Sequence, residues 1–377
     1  MTAVSISLAL LAMGLFLWSY LFYPILVRWL ARRALAPGSS FGGGSFSAEV
    51  IISAADEEGV IGDRVRDLLA QETDRPLRVT VGCDGCTDKT GEEARAAGGA
   101  GVEVVEFPAR RGKAGVINSL VLASGADVIV FTDANTRFDP GAVRRLLAPF
   151  GDPRVGAVCG RLLIEAEGEA KSSPEVLFWD RETRLKETEG RLGVCLGANG
   201  AIYAARRAQI ERLPEDSSLD DFLIPARVAR RGSAVVFAGD AVAREQGGLQ
   251  GHAEVSRRFR IGVGAGQVLR RETWLFAFGR HPLLSLAFLS RKAARWIAPV
   301  LLLLALAAGL ASNSLSSAAA GLSAGLLALF LLVWVGPVPR GLFGKLCYFC
   351  AMNLALAFGV VSGLAGASRP VWKRAPR

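Results

Sequence analysis

Four polar clusters stand at the ends of apolar runs: Asp56-Glu57-Glu58, Asp84-Gly85, Arg111-Gly112-Lys113 and Asp133-Ala134-Asn135. The last closes the β-branched run Val128 to Thr132, which reads as a buried parallel strand. Such a strand delivers oxygen ligands at its carboxyl edge, where open α/β sheets bind ligands, and a metal-bound diphosphate would sit there. Each of the other clusters also follows a hydrophobic run, so all four are expected to converge on one edge of one sheet. Taken alone, Asp84-Gly85 is an ordinary turn signal, with Thr87 capping the following helix.

The elements that must position these side chains begin at Glu49. Strands are expected at Glu49 to Ala54, Leu77 to Gly82, Val102 to Glu106 and Val128 to Thr132. Between them, Glu58 to Gln71, Thr87 to Ala97 and Ala114 to Ala123 read as helices. That alternation indicates an α/β fold built on a doubly wound, mostly parallel sheet, with its nucleotide-binding half first. After a strand at Val155 to Gly160 the rhythm loosens. A charged helix carrying Trp179 runs from Pro174 to Glu189, a glycine-containing loop from Gly193 to Gly200, and a short strand covers Ala201 to Ala204. A helix from Asp220 to Arg231 and a strand from Ala234 to Ala238 complete the unit. Asp220 and Asp221 stand at that helix entry, where an acid also serves as a cap or first-turn charge.

The 377 residues are 51% hydrophobic and 21% charged, too apolar for an ordinary soluble protein and too charged for one that is all membrane. Ile6 to Val27 is long enough to cross about 30 Å of hydrocarbon as a helix, and Arg28, Arg32 and Arg33 follow it. This reads as a signal anchor with its basic end in the cytoplasm, since no cleavage site precedes the arginines. Pro37 to Ser47 is a Gly/Ser-rich linker, and His252 to Leu269 is a basic helix expected to lie along the membrane. Apolar segments at Ile297 to Ala311, Ala318 to Val335 and Leu346 to Ala367 close the chain. Counting crossings puts the basic tail, Arg369 to Arg377, outside, against the positive-inside expectation unless Trp274 to Leu289 is a further segment.

A net charge of +9 invites a nucleic-acid reading, but no basic cluster interleaves with aromatics in a recognisable module. Arginines facing anionic lipid and a site for an anionic nucleotide account for the surplus. Cys83 and Cys86 have CxxC spacing, yet the second such pair, Cys347 and Cys350, falls in an apolar segment, which argues against a four-cysteine zinc site. With only His252 and His281, histidine triads and multi-histidine metal sites are not expected.

Five ordered stretches give a family resemblance: Asp84-Gly-Cys-Thr-Asp-Lys-Thr90, Arg111-Gly-Lys-Ala-Gly-Val-Ile-Asn118, Phe131-Thr-Asp-Ala-Asn-Thr136, Gly197-Ala-Asn-Gly-Ala-Ile-Tyr203 and Leu219-Asp-Asp221. They resemble, in turn, the DGSTDGT turn, the GKAxALN segment, the acidic metal motif, the acceptor-side glycine loop and the TED motif of membrane-bound family 2 glycosyltransferases. That group contains the bacterial cellulose, chitin-oligomer, hyaluronan and poly-N-acetylglucosamine synthases. The resemblance covers roughly Glu49 to Trp296 and implies a GT-A-like domain with a transmembrane region and interfacial helices. It divides the chain into an anchor (1–33), a linker (34–47), a cytoplasmic catalytic domain (48–250), interfacial amphipathic helices (251–295), about three transmembrane helices (296–367) and a basic tail (368–377).

By the same resemblance, the enzyme is an inverting, metal-dependent transferase of the bacterial-type inner membrane, multi-pass, with a UDP-sugar donor. Asp84 would hold the uracil end, with Asp56 and Glu57 lining the pocket, and Lys113 would approach the phosphates. Asp133 and Asn135 would face the diphosphate and a Mg²⁺ or Mn²⁺, hard cations that prefer oxygen ligands. Asn135 stands where the family has Asp, so the site carries one negative charge fewer. Asp221 is the expected general base, with Asp220 beside it, because direct inverting transfer needs one carboxylate to take the acceptor proton. Gly197, Asn199 and Gly200 would face the acceptor, as would Trp179, which also reads as a core residue. Where polymerising members carry QxxRW, this chain has Arg257, Arg260 and Ile261. The phosphate-facing arginine survives as Arg260, with Arg257 beside it, but the Trp platform for an acceptor sugar does not. Ser53 and Asp56 replace the usual Pro and Asn. Growth of a polysaccharide is the leading expectation. Single transfer to a lipid acceptor is the alternative within the class, and an inactive nucleotide-binding membrane protein the alternative outside it.

Overall fold

Val50, Ile52, Val79, Val81, Val128 and Val130 are all fully buried, as β-branched residues on a sheet covered on both faces must be. The computed structural model describes residues 2–32, 34, 45–74, 77–165, 174–246, 252–311 and 341–367. Its strands are β1 (Ala48–Ala54), β2 (Leu77–Asp84), β3 (Val102–Phe107), β4 (Val128–Thr132), β5 (Arg137–Phe138), β6 (Val155–Glu165), β7 (Tyr203–Arg206) and β8 (Ala234–Gln246). They form one sheet in the order β3-β2-β1-β4-β7-β6-β8-β5. The first four are parallel, as the alternation implied. The remainder is mixed, because β7 runs antiparallel to both β4 and β6, and β5 antiparallel to β8. This reversal has a functional consequence. Phe131 of β4 pairs with Tyr203 at the start of β7, so the glycine loop preceding β7 arrives at the carboxyl end of β4, beside Asp133.

The helices begin with α1 (Thr2–Leu17) and α2 (Tyr23–Ala31), joined by a π-helical turn at Trp18–Phe22. Within the α/β unit lie α3 (Ile61–Leu69), α4 (Thr90–Gly98), α5 (Gly112–Ala123), α6 (Ala142–Leu147), α7 (Pro174–Arg191) and α8 (Asp220–Arg230). Two of these start later than expected, for local reasons. The Glu57 N–H donates to Thr90 Oγ1 at 2.7 Å and its carbonyl accepts from Val60 and Ile61, so Glu57 to Val60 is a turn ahead of α3. Thr87 does not cap α4: its N–H donates to Asp56 Oδ1 at 2.8 Å, while Asp88 Oδ1 receives the Thr90 N–H at 3.0 Å. The short elements β5 and α6 had no sequence signal, and β8 runs well past the expected Ala238 because β6 and β5 both pair with it.

The remaining helices are α9 (His252–Arg271), α10 (Pro282–Ala287), α11 (Ala294–Ala311) and α12 (Gly341–Leu364), with a π-helical segment at Phe288–Ala293 leading into α11. These and α1 form a second compact unit. Among the described residues, two helices are long and apolar enough to cross a membrane, Val4–Ala31 and Leu346–Leu364. The expected segment Ala318 to Val335, most of the Gly/Ser linker and the basic tail lie outside the described residues. Polar groups tie α1 and its π turn to the α11 end: Ser5 Oγ donates to the Ala305 carbonyl at 2.7 Å, Trp18 Nε1 to Ser290 Oγ at 2.9 Å, and Arg295 Nε to Ser19 Oγ at 2.8 Å.

The basic helix α9 is not a solitary surface element. It runs parallel to α12, backbone against backbone, through glycines on both: a Cβ on Gly262 would meet the Leu356 carbonyl oxygen at 2.3 Å, and one on Gly359 the Phe259 oxygen at 2.2 Å. Gly266 and Gly363 repeat the arrangement one turn on, which is how small residues let helices approach in an apolar setting. Gly262→Ala or Gly359→Ala is therefore expected to destabilise the helical unit by roughly 1–3 kcal/mol through overpacking. Gly14→Ala, with nothing within 4 Å of the added carbon, is expected to be neutral or slightly stabilising. Thermal unfolding of the three purified variants in detergent checks this.

Candidate active site

Close packing of a helix on a glycine sets up the first half of the site. A Cβ on Gly82 would lie 2.5 Å from Val116 and 2.9 Å from Leu120, so only glycine lets α5 sit this close to β2. The N-terminus of α5 then meets the end of the strand. Asp84, fully buried, accepts the Arg111 N–H at 2.6 Å on Oδ1 and the Gly112 N–H at 3.0 Å on Oδ2. Orphan amides and the positive end of the helix dipole make this a favourable place for a carboxylate. Gly85 follows at φ +55, a conformation L side chains rarely adopt, with the Arg110 backbone against it. At the end of β1, Asp56 takes the left-handed φ of 56, and its carboxylate binds both the Thr87 N–H and the Arg110 guanidinium. Glu57 is buried beside it.

From the first turn of α5, Lys113 reaches across to the acids. Its Nζ lies 2.9 Å from Asp133 Oδ1 and 3.5 Å from Asp220 Oδ2. Burial works against the Lys113 charge, but Asp133, Asp220 and Asp221 outweigh it and hold the ammonium well above the ordinary lysine range. Asp220 is buried and also accepts the Tyr203 hydroxyl at 3.0 Å. Burial and the charges of Asp220 and Asp221 push that hydroxyl well above the usual tyrosine range, so it stays a donor. Asp221 is only half-buried. The centre of the arrangement is Gly200: a Cβ there would lie 3.4 Å from Asp133 Oδ2, 3.7 Å from Lys113 Nζ and 3.9 Å from Asp221 Oδ2. Residues from β4, α5, the glycine loop and α8 therefore converge on one spot.

The glycine loop is held on three sides. Buried Lys186 of α7 donates to the Ala198 carbonyl at 3.2 Å and to Asn199 Oδ1. Asn199 Nδ2 donates to the Gly160 carbonyl at 2.8 Å, and the Ala198 N–H to the Asp221 carbonyl at 2.8 Å. Gly197 makes its turn at φ +79. The Asp133 turn is anchored from below by Arg64, whose side chain is completely buried. Its Nη2 donates to Thr132 Oγ1 at 2.7 Å, its guanidinium lies 4.1 Å over the Phe138 ring, and it pairs with Asp67. Burial lowers its pKa to about 10, and Asp67 and Asp133 oppose that shift.

Asp133, Asp220, Asp221, Lys113 and Gly200 are thus brought together, with Asn199 beside them as a structural tie and Asn135 exposed on the same turn. Asp84 and Asp56 serve the neighbouring α5 entry. Arg257 and Arg260 lie on α9 in the helical unit, where Arg257 pairs with Glu254 at 2.8 Å. The Trp179 side chain falls outside the described residues, although its helix is present. Sequence reading missed Tyr203, Lys186, Arg64 and the part played by Asn118, which exchanges hydrogen bonds with the Leu213 main chain and ties α5 to the segment leading into α8. Glu182, Lys186 and Glu189 at helical spacing, all buried, were the available signal on α7.

The Asp133 carboxylate, with the Asn135 amide on the same turn, is of the hard oxygen-donor kind that suits Mg²⁺ or Mn²⁺. Asp56, Cys86 and Asp88 also bring ligand atoms within 4.8 Å of one another. Asp56 is occupied by Thr87 and Arg110, and Asp88 by Thr90 and the Glu58 N–H, which marks that group as a structural knot.

The sequence profile described as Glycosyl transferase family 2 matches residues 49–205, and that of Glycosyl transferase family group 2 matches residues 128–360. Among curated proteins, the O-antigen chain rhamnosyltransferase RfbN of Salmonella typhimurium is 26% identical over 222 residues, 54% of this chain and 68% of that protein. Among solved structures, the mannosyltransferase PcManGT of Pyrobaculum calidifontis superimposes with a TM-score of 0.64 at 21% identity, covering 95% of this chain and 99% of that one. At that identity the likeness is one of fold, and it matches the expected GT-A-like architecture. The extent of the second profile, more than half of the chain, shows that the chain belongs to glycosyltransferase family group 2.

Proposed function

We propose that this glycosyltransferase moves a sugar from a UDP-sugar to a growing polysaccharide by direct, inverting displacement. The observation that carries the proposal is the meeting of Asp133, Lys113 and Asp221 around Gly200. A glycine there leaves room for the donor sugar between the groups that handle its two ends. In the reaction, an acceptor hydroxyl oxygen bonds to the anomeric carbon as the bond from that carbon to the diphosphate breaks, and the diphosphate leaves with the electron pair. Asp221 takes the hydroxyl proton. It suits the role better than Asp220, which is buried and engaged by Tyr203 and Lys113. Lys113 supplies positive charge to the diphosphate, where charge develops. A Mg²⁺ or Mn²⁺ at Asp133, with Asn135 on the same turn, would neutralise the leaving group as a Lewis acid. The mannosyltransferase of like fold is described in complex with GDP-Man and Mn²⁺, which supports a manganese-assisted nucleotide-sugar reaction and puts guanosine donors into the test.

The same reading puts the helical unit in a bacterial-type plasma membrane, multi-pass, with the catalytic unit in the cytoplasm and lipid around the apolar helices. Two long apolar helices and the arginines following the first support it. It also keeps the chain near the membrane-bound polysaccharide synthases that its motifs resemble. One observation favours single transfer to a lipid acceptor instead: Arg257 and Ile261 stand where polymerising members have Gln and Trp.

Purified protein given a panel of UDP- and GDP-sugars should release nucleotide with Mn²⁺ or Mg²⁺ and stop when a chelator is added; release unaffected by chelator would remove the metal from the scheme. Asp221→Asn should lower kcat by about 10²–10⁴-fold while leaving the donor KM and the melting temperature near wild type, the signature of a lost general base. On a sizing gel, a product ladder supports chain growth, and one discrete glycolipid would replace it with single transfer.

A further inference from the structure

We infer that Lys113 couples the divalent ion to the donor's diphosphate: its ammonium holds the Asp133 carboxylate in the nucleotide-free protein, and the diphosphate draws it off. This rests on the donor reading above. The Lys113 Nζ is 2.9 Å from Asp133 Oδ1, inside the space that a cation bound to Asp133 needs. Both side chains are about a quarter exposed, at 22% and 27%, so solutes reach the pair. Asp133 is the sole carboxylate on its turn, because Asn135 stands at the second position. A dication approaching Asp133 alone therefore meets a neutralised ligand and a facing positive charge. A diphosphate changes both conditions, since it offers oxygen acceptors to the ammonium and adds negative charge for the metal.

The Lys113 side chain is the charged group that the start of α5 directs at the acids, and so the one it can offer a phosphate there. Helix N-termini commonly bind anions through their free amides. Here the Arg111 and Gly112 N–H groups are already taken by Asp84, at 2.6 and 3.0 Å. The side chain also has a second resting place, since Asp220 Oδ2 lies 3.5 Å from Nζ and is fixed by Tyr203. Moving off Asp133 thus does not strand the charge. Linkage makes the coupling reciprocal, so nucleotide must raise metal affinity by the same factor as metal raises nucleotide affinity.

The test is a Mn²⁺ titration of the purified full chain, followed by electron paramagnetic resonance of free Mn²⁺, with and without UDP or GDP. Lys113→Gln and Lys113→Met remove the charge with different shapes, so that misfolding of one, seen in its melting curve, leaves the other. Without nucleotide, either should bind Mn²⁺ at least about tenfold more tightly than wild type, as expected when a facing charge is removed. Lys113→Arg should stay within about twofold of wild type, since it keeps the charge. UDP should then tighten Mn²⁺ binding more in wild type than in the charge-removed variants. Equal Mn²⁺ affinity of wild type and those variants without nucleotide would overturn the coupling while leaving the donor reading intact. Absence of Mn²⁺ binding in every arm, UDP and GDP included, would overturn the donor and metal reading itself.

Discussion

Negative charges do not gather in a partly dry cleft unless a cation holds them, and here one lysine does so. Asp133, Asp220 and Asp221 come from different elements, and Lys113 lies against the first two and within the field of the third. Unit charges about 4 Å apart interact by roughly 4 kcal/mol at the effective dielectric of a protein surface, enough to scatter unpaired acids. The ammonium turns that repulsion into a cluster and leaves it negatively charged overall. It also sorts the two neighbouring acids. Asp220, paired with Lys113 and Tyr203, is buried in the frame, and Asp221 beside it is half-buried.

Holding Lys113 there depends on how closely backbones approach. Gly82 lets α5 settle on β2, Asp84 fastens the first amides of α5, and Asn118 fastens the helix again at Leu213. From the other side, the reversal into β7 brings the glycine loop to the end of β4, where Lys186 and Asn199 fix it. Arg64 secures the turn bearing Asp133 from beneath the sheet. These contacts are mostly polar and buried, so each removes a possible orphan group while fixing a group of the site. Specificity of position, more than net stability, is what such networks supply.

The helical unit follows a different rule. Close glycine contacts and a few hydrogen bonds fix which of its helices pair. Gly262 and Gly266 against Gly359 and Gly363 set the α9–α12 pair, and Trp18, Ser19 and Arg295 join α1 to the segment around α11.

The order of strands and helices in the first half of the α/β unit, and the acids at their ends, were legible in the sequence because local periodicity and turn residues decide both. Asp133, Lys113 and Asp221 could be nominated from their motifs before any coordinates. The antiparallel course of β7 was not legible, since strand direction is settled by long-range pairing. Neither were Tyr203, Lys186 and Arg64, whose significance comes only from what lies opposite them after the chain has folded. The difference between Asp220 and Asp221 was likewise a tertiary decision: adjacent in sequence and identical in chemistry, they differ in burial and in the partners that the fold brings to each. Sequence by itself determined which chemical groups this protein possesses and the local elements that carry them. Tertiary structure decided which groups meet, because contacts between distant segments are set by packing and charge in three dimensions.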